Sequence, residues 1–229
     1  MTPVNDNGEK VKVMLSVGHY EEKPGAENKA YGLKEWEVCK RVVDRCFHII
    51  TNDEHHSKVT LPFKIESMTL PQKKEQILKV MPDLIVEVHM NSSWIKSHKG
   101  ILTIYEEDSY ESMLAAKWVN MFLVKNLYSK DLGIFADNIV KKWRKWNSFF
   151  IFDRIEYRSD MIHGVNVPTI LAEMDFISNP KVAVLITKDS DWVQRAAGSL
   201  ALGVVRYCQQ KLWENTALKT GIIREDANG

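Results

Sequence analysis

Five short, almost wholly apolar runs set the terms on which this chain can fold: residues 11–17, 84–88, 101–105, 149–152 and 167–172. Runs of this length, rich in Val and Ile, read as strands buried on both faces, and such strands belong to sheets covered on each side. Between them, apolar residues recur at helical spacing over about 33–47, 72–81, 109–127 and 191–212. Strand and helix in alternation predict an α/β fold, with a twisted, mainly parallel sheet flanked by helices on both faces. No repeat, low-complexity segment or Pro/Gly/Ser-rich linker divides the chain, and its seven prolines are scattered. A single domain over 11–213 is expected, between a polar segment at 1–10 and a tail at 214–229 that frays beyond Leu218.

A chain of 229 residues can bury a core without disulfides or structural metal, so any metal it binds would serve chemistry. Its 31 basic and 30 acidic residues leave a formal charge of +1, which gives no long-range pull toward nucleic acid or an anionic membrane. No apolar run approaches the roughly 20 residues of a transmembrane helix. Residues 1–12 are polar and lack a hydrophobic signal region, so synthesis in the cytoplasm without a signal peptide is expected. Cys39, Cys46 and Cys208 form no CxxC pair and are odd in number, which predicts buried free thiols.

Ligands of open α/β sheets gather beyond the carboxyl ends of the strands. There the first run passes through Ser16, Val17 and Gly18 to His19, the second reaches His89, and the last reaches Glu173. One histidine after a strand is usually a hydrogen-bonded turn residue, but three chemically competent side chains at one sheet edge are harder to explain so. Helix phase adds a fourth. Over 33–47, Trp36, Cys39, Val42, Val43, Cys46 and Phe47 make an apolar stripe, while Lys34, Glu37, Lys40, Arg41 and Asp44 make the wet face. Glu35 flanks the stripe in the first turn. Phase alone leaves two readings: a carboxylate turned to the sheet that wants a counter-charge, or a first-turn glutamate that favours the helix N-terminus.

Two neutral imidazoles and one carboxylate form a common ligand set for a catalytic zinc, with the fourth position open to water. A further carboxylate can take the water's proton and pass it to a leaving amine, and Glu173 suits that role by placement. The expectation is one zinc per chain on His19, Glu35 and His89. Spacing by itself is a weak signal, because the ligands are scattered and no compact HExxH motif exists. Asn91 follows His89 by two residues and either orients a ligand or substrate, or caps the next loop. His163 precedes the Glu173 strand and is a candidate to line the cleft. His55 and His56 read as a solvated loop. Lys141, Lys142, Trp143, Arg144, Lys145 and Trp146 read either as a basic, partly buried segment or as a substrate-side patch that holds an anionic polymer or stacks on sugar rings.

At these residues the sequence resembles the zinc-dependent N-acetylmuramoyl-L-alanine amidases, above all the catalytic domains of phage and prophage endolysins. The matching blocks are Leu15-Ser16-Val17-Gly18-His19 with Pro24-Gly25-Ala26, Gly32-Leu33-Lys34-Glu35-Trp36-Glu37, and Asp83-Leu84-Ile85-Val86-Glu87-Val88-His89-Met90-Asn91. The last, and the most specific, runs from Val167-Pro168-Thr169 through Leu171-Ala172-Glu173 to Phe176-Ile177-Ser178-Asn179-Pro180. The resemblance implies zinc on His19, Glu35 and His89, catalysis by Glu173, and hydrolysis of the amide joining N-acetylmuramic acid to L-alanine in peptidoglycan. It also implies action on the wall after release through a membrane pore made by a partner protein. A zinc hydrolase of the same architecture acting on another peptide or acyl-amino-acid amide is the alternative. A non-catalytic wall-binding module would be expected to have lost a ligand or the base, and none is lost here.

Overall fold

The computed structural model describes residues 8–137 and 167–220. Among the described residues, eight strands and six α-helices follow one another. They are β1 (Val11–Val17), β2 (Glu27–Asn28), β3 (Leu33–Lys34), α1 (Glu35–Asn52), α2 (Glu54–Ser57), β4 (Thr60–Ile65) and α3 (Leu70–Val80). Then come β5 (Leu84–Asn91), β6 (Ile101–Tyr105), α4 (Tyr110–Leu127), β7 (Asp131–Ala136), β8 (Thr169–Phe176), α5 (Pro180–Lys188) and α6 (Trp192–Lys219).

Six strands form one sheet in the order β4-β1-β5-β8-β6-β7, and β2 pairs with β3 in a small antiparallel ribbon. All neighbours in the large sheet run parallel except β8 and β6. The predicted α/β fold with a mainly parallel sheet is what the chain adopts. β5 and β8 lie side by side at its centre and every residue of both is buried, which is why they carry long apolar runs.

The two faces are covered unequally. Val13, Leu15, Val17, Val86, Val88, Ile170, Ala172 and Met174 belong to the main core, closed by buried side chains of α1, α4 and α6. The other face bears a smaller cluster in which Met14, Ile85 and Val167 meet Ile65 and Ile77, the latter on α3. α3 starts at a capping box between Thr69 and Gln72. Pro180 opens α5, and the Asn179 side chain accepts from the backbone N–H groups of Lys181 and Val182. The Ser-Asn-Pro block of the sequence is thus the point where a strand ends and a capped helix begins.

Several expectations shift in detail. β5 and β8 run on past positions 88 and 172, so His89 and Glu173 lie inside strands rather than at their ends. Buried polar residues carry these strands forward where an apolar count stops. The edge strands β4 and β7 and the helix α5 were not foreseen. Residues 54–57 form a short helix rather than a loop. The last helix continues past 213 to Lys219, with Ala217 buried. The expected strand at 149–152 lies outside the described residues. Cys39, Cys46 and Cys208 are free and buried, as expected.

Candidate metal centre

β1 and β5 are paired up to Val17 and Val88, and the Gly18 N–H donates to the Val88 carbonyl at 2.9 Å. Beyond that bond the chain turns, and His19 adopts the left-handed region at φ 61°. The turn brings its ring to His89, with centroids 5.1 Å apart and edge to face. Gly18 is required by this approach: a Cβ there would lie 2.6 Å from the His89 ring.

Glu35 arrives from the other direction. Lys34, at the N-cap of α1, makes no side-chain cap bond, and the Glu35 carboxylate turns away from its own helix toward the sheet. Its Oε1 accepts from the Met90 N–H at 3.0 Å and lies 3.0 Å from His89 Nδ1. Its Oε2 accepts from the Ala26 N–H at 2.8 Å and lies 3.2 Å from His19 Nε2. The two readings left open by helix phase are therefore resolved in favour of the sheet-facing carboxylate. Gly25 closes the far side at φ 76°, where a Cβ would sit 2.4 Å from the His19 ring and 2.5 Å from Glu35.

One donor atom from each of His19, Glu35 and His89 lies within 4.8 Å of the other two, and this is the one such group of three among the described residues. Burial works to raise the Glu35 carboxyl, but hydrogen bonds and charge from His19 and His89 outweigh it and hold the group at about 2. It is therefore ionised at neutral pH, the form that binds a cation. His89 Nε2 is buried and has no hydrogen-bond partner among the described residues. A buried nitrogen left this way carries a desolvation cost that a bound metal ion would remove. Two imidazoles, one of them with an orphaned nitrogen, and one carboxylate fit a divalent ion of the zinc type.

Glu173 faces this group across the sheet. It is the register partner of His89 in β8, and it is buried. Burial pushes the Cys39 thiol up, and the charges of Glu35 and Glu173 add to that push. Directly after Glu173 the ladder slips: His89 pairs with Glu173 but Asn91 pairs with Phe176, leaving an extra residue in β8. This bulge contains Asp175 at φ 154°, whose carboxylate accepts from the Gly100 and Phe176 N–H groups and from Ser129. Glu173 is thus held between a ladder on one side and a pinned bulge on the other.

The sequence profile of the N-acetylmuramoyl-L-alanine amidase family matches residues 13–206. The chain belongs to that family. No curated protein matches the amidase. Among solved structures it is similar to the N-acetylmuramoyl-L-alanine amidase of Clostridium difficile 630, with a TM-score of 0.71 at 18% identity over 88% of this chain and 98% of that one. It is similar to AmiC2 of Nostoc punctiforme, with a TM-score of 0.68 at 18% identity over 88% and 99% of the two chains. It also resembles the catalytic domain of the CD27L endolysin that targets Clostridium difficile, at 0.61 and 16% over 86% and 97%. Family membership makes the chain a hydrolase of the amide between N-acetylmuramic acid and L-alanine in peptidoglycan.

In the amidase, the three expected ligands come together and Glu173 joins them from the neighbouring strand. Asn91 is buried at the end of β5; its Oδ1 accepts from the Ser92 N–H at 2.8 Å, which is the loop-capping contact. Its Nδ2 has no hydrogen-bond partner among the described residues. His163 and the segment 141–146 lie outside the described residues. Two residues of this region escaped the sequence reading. Gly25 was noted only as part of a matching block, although it lies against the ligands. Lys73 stands in the core-facing stripe of α3 with Leu70, Ile77 and Val80, and a lysine in that phase was the available signal.

Proposed function

We propose that this amidase is zinc-dependent, with His19, Glu35 and His89 holding one ion per chain and Glu173 acting as general acid and base. The observation that carries the reading is the convergence of two imidazoles on one ionised, buried carboxylate, with His89 Nε2 left without a partner. When bound, zinc supplies Lewis acidity and makes a water nucleophile available at neutral pH. The chain's own residues do the rest. Gly18 and Gly25 leave room for the ligand rings and carboxylate to close together. The Met90 and Ala26 N–H groups fix both oxygens of Glu35, so its orientation is set before any ion arrives. Glu173 accepts the proton of the attacking water and returns it to the departing L-alanine nitrogen.

The test uses purified peptidoglycan. The protein should release peptides that begin with a free L-alanine, should lose this activity after chelation, and should regain it with about one equivalent of Zn²⁺. Activity unaffected by thorough chelation would remove the metal from the reaction. Release of peptides that do not begin with L-alanine would favour a different amide as substrate.

The proposal extends to delivery. Peptidoglycan lies outside the cytoplasmic membrane, so we place the chain's action at the wall after release through a pore made by a partner protein. Co-expression with a pore-forming protein should convert an inert intracellular enzyme into a lytic one; lysis without such a protein would argue for another route.

A further inference from the structure

On the α3 face of the sheet, next to the metal centre, lies a second buried polar group. Lys73 and Glu87 are buried, and Lys73 Nζ lies 3.1 Å from Glu87 Oε1. The same ammonium donates to the Val17 carbonyl at 2.8 Å. Ser16 Oγ donates to Glu87 Oε1 at 3.1 Å, and Ser16 and Glu87 are register partners. Among the described Lys and Arg ion pairs, the others are all partly exposed on both partners; here the two side chains are 6% and 0% exposed.

The position of the pair is what matters. Val17 stands two residues before His19 at the end of β1. Glu87 stands two residues before His89 in β5, on the same face of the strand. A single cation on α3 therefore grips both strands that deliver the histidines, just below the point where they do so. Burying such a pair is costly, and apolar residues of similar volume are often as stable or more so. Glu87 Oε2 has no hydrogen-bond partner among the described residues, so the pair is not arranged for greatest stability. A cost retained beside a ligand set has a functional explanation when the group orients the ligands.

We propose that Lys73, acting with Glu87, is a positioning residue of the metal centre: it fixes the ends of β1 and β5 against each other and so sets the spacing of His19 and His89 toward the ion. The proposal rests on the metal reading above. It assigns no contact with substrate to either residue.

The test separates positioning from stability. Lys73→Met alone strands the Glu87 charge and should lower the melting temperature. The double variant Lys73→Met/Glu87→Leu removes both charges, and its metal-free form should melt close to the parent. Co²⁺ serves as the probe, through its visible absorption and through competition with a chelator. The double variant is expected to bind Co²⁺ about 10- to 100-fold more weakly than the parent, the usual cost of losing an outer support of a ligand set. Its absorption spectrum should differ as well. Parent-like affinity and spectrum in the double variant would overturn the proposal and leave the pair a packing feature. Should the double variant not fold, Lys73→Arg carries the test, because it keeps the charge but not the compact ammonium's reach to Val17 and Glu87. Unchanged Co²⁺ binding in that variant overturns the proposal equally. A parent protein that takes up no Co²⁺ would instead overturn the metal reading, and the positioning role with it.

Discussion

Glu173 and Glu35 are both buried carboxylates bordering one site, yet their surroundings assign them different work. Glu35 is enclosed by two imidazoles and two backbone N–H groups, which satisfy an anion from four directions. Glu173 approaches from β8, opposite His89 in the ladder, and is not in the group of mutually close donor atoms. Three ligands with one open position already suit a catalytic zinc. Glu173→Gln should therefore fold, keep its zinc, and lose about 10²- to 10⁴-fold in turnover, the usual worth of general acid–base assistance. Zinc stoichiometry, melting temperature and peptidoglycan turnover on this one variant decide the matter. Loss of zinc would make Glu173 a ligand, and normal turnover would exclude it as the base.

At the scale of the elements, α1 offers the cleanest contrast, because Glu35 and Glu37 are two residues apart on one helix. Glu35 is buried, whereas Glu37 is exposed and paired with Lys34 at 3.4 Å, both side chains about half in water. A surface pair of that kind contributes about 1 kcal/mol at most. Glu35→Gln should weaken metal binding markedly, while Glu37→Gln should change stability by no more than about 0.5 kcal/mol and leave metal content intact. Equal losses in a paired metal titration would contradict the observed phase of the helix. That phase was legible from the apolar stripe of α1, and the central strands were legible from their runs of Val and Ile. The edge strands were not, for a physical reason: β4 is half exposed and carries Pro62, and β7 is half exposed and carries Gly133, so neither shows a buried run. The same logic hid the ends of β5 and β8, where His89, Asn91, Glu173 and Asp175 are buried and polar. Function occupies the positions at which hydrophobic pattern stops being informative, so the motif had to supply the ligands, and the lysine beneath them showed in the sequence only as a cation out of place in the apolar stripe of α3.

For the whole molecule, the question is what the metal contributes to stability. The main core is closed by α1, α4 and α6 on one face of the sheet, and a second cluster seals the other face against α3. Neither cluster includes His19, Glu35 or His89. His89 is fixed by the ladder of β5, His19 by the turn that follows the Gly18–Val88 bond, and the Glu35 carboxylate by backbone N–H partners of its own. A fold built this way does not depend on metal in the manner of a zinc finger, whose ligands have no other reason to meet. Metal should act on it only by mass action, because the native state offers an assembled site and the unfolded chain does not. At a free zinc concentration 100 times the dissociation constant, that effect is about 2.7 kcal/mol. For a chain of this length it should raise the melting temperature by about 5–10 °C. The chelated protein should keep its far-ultraviolet circular dichroism and melt cooperatively, and the added stability should grow with the logarithm of zinc concentration above the dissociation constant. His19→Ala, with a ligand removed, should melt near the chelated parent and show little of this rise. Collapse of the spectrum on chelation would mean that the ion holds the fold itself, and the division drawn here between a self-sufficient sheet and a metal reserved for chemistry would be wrong.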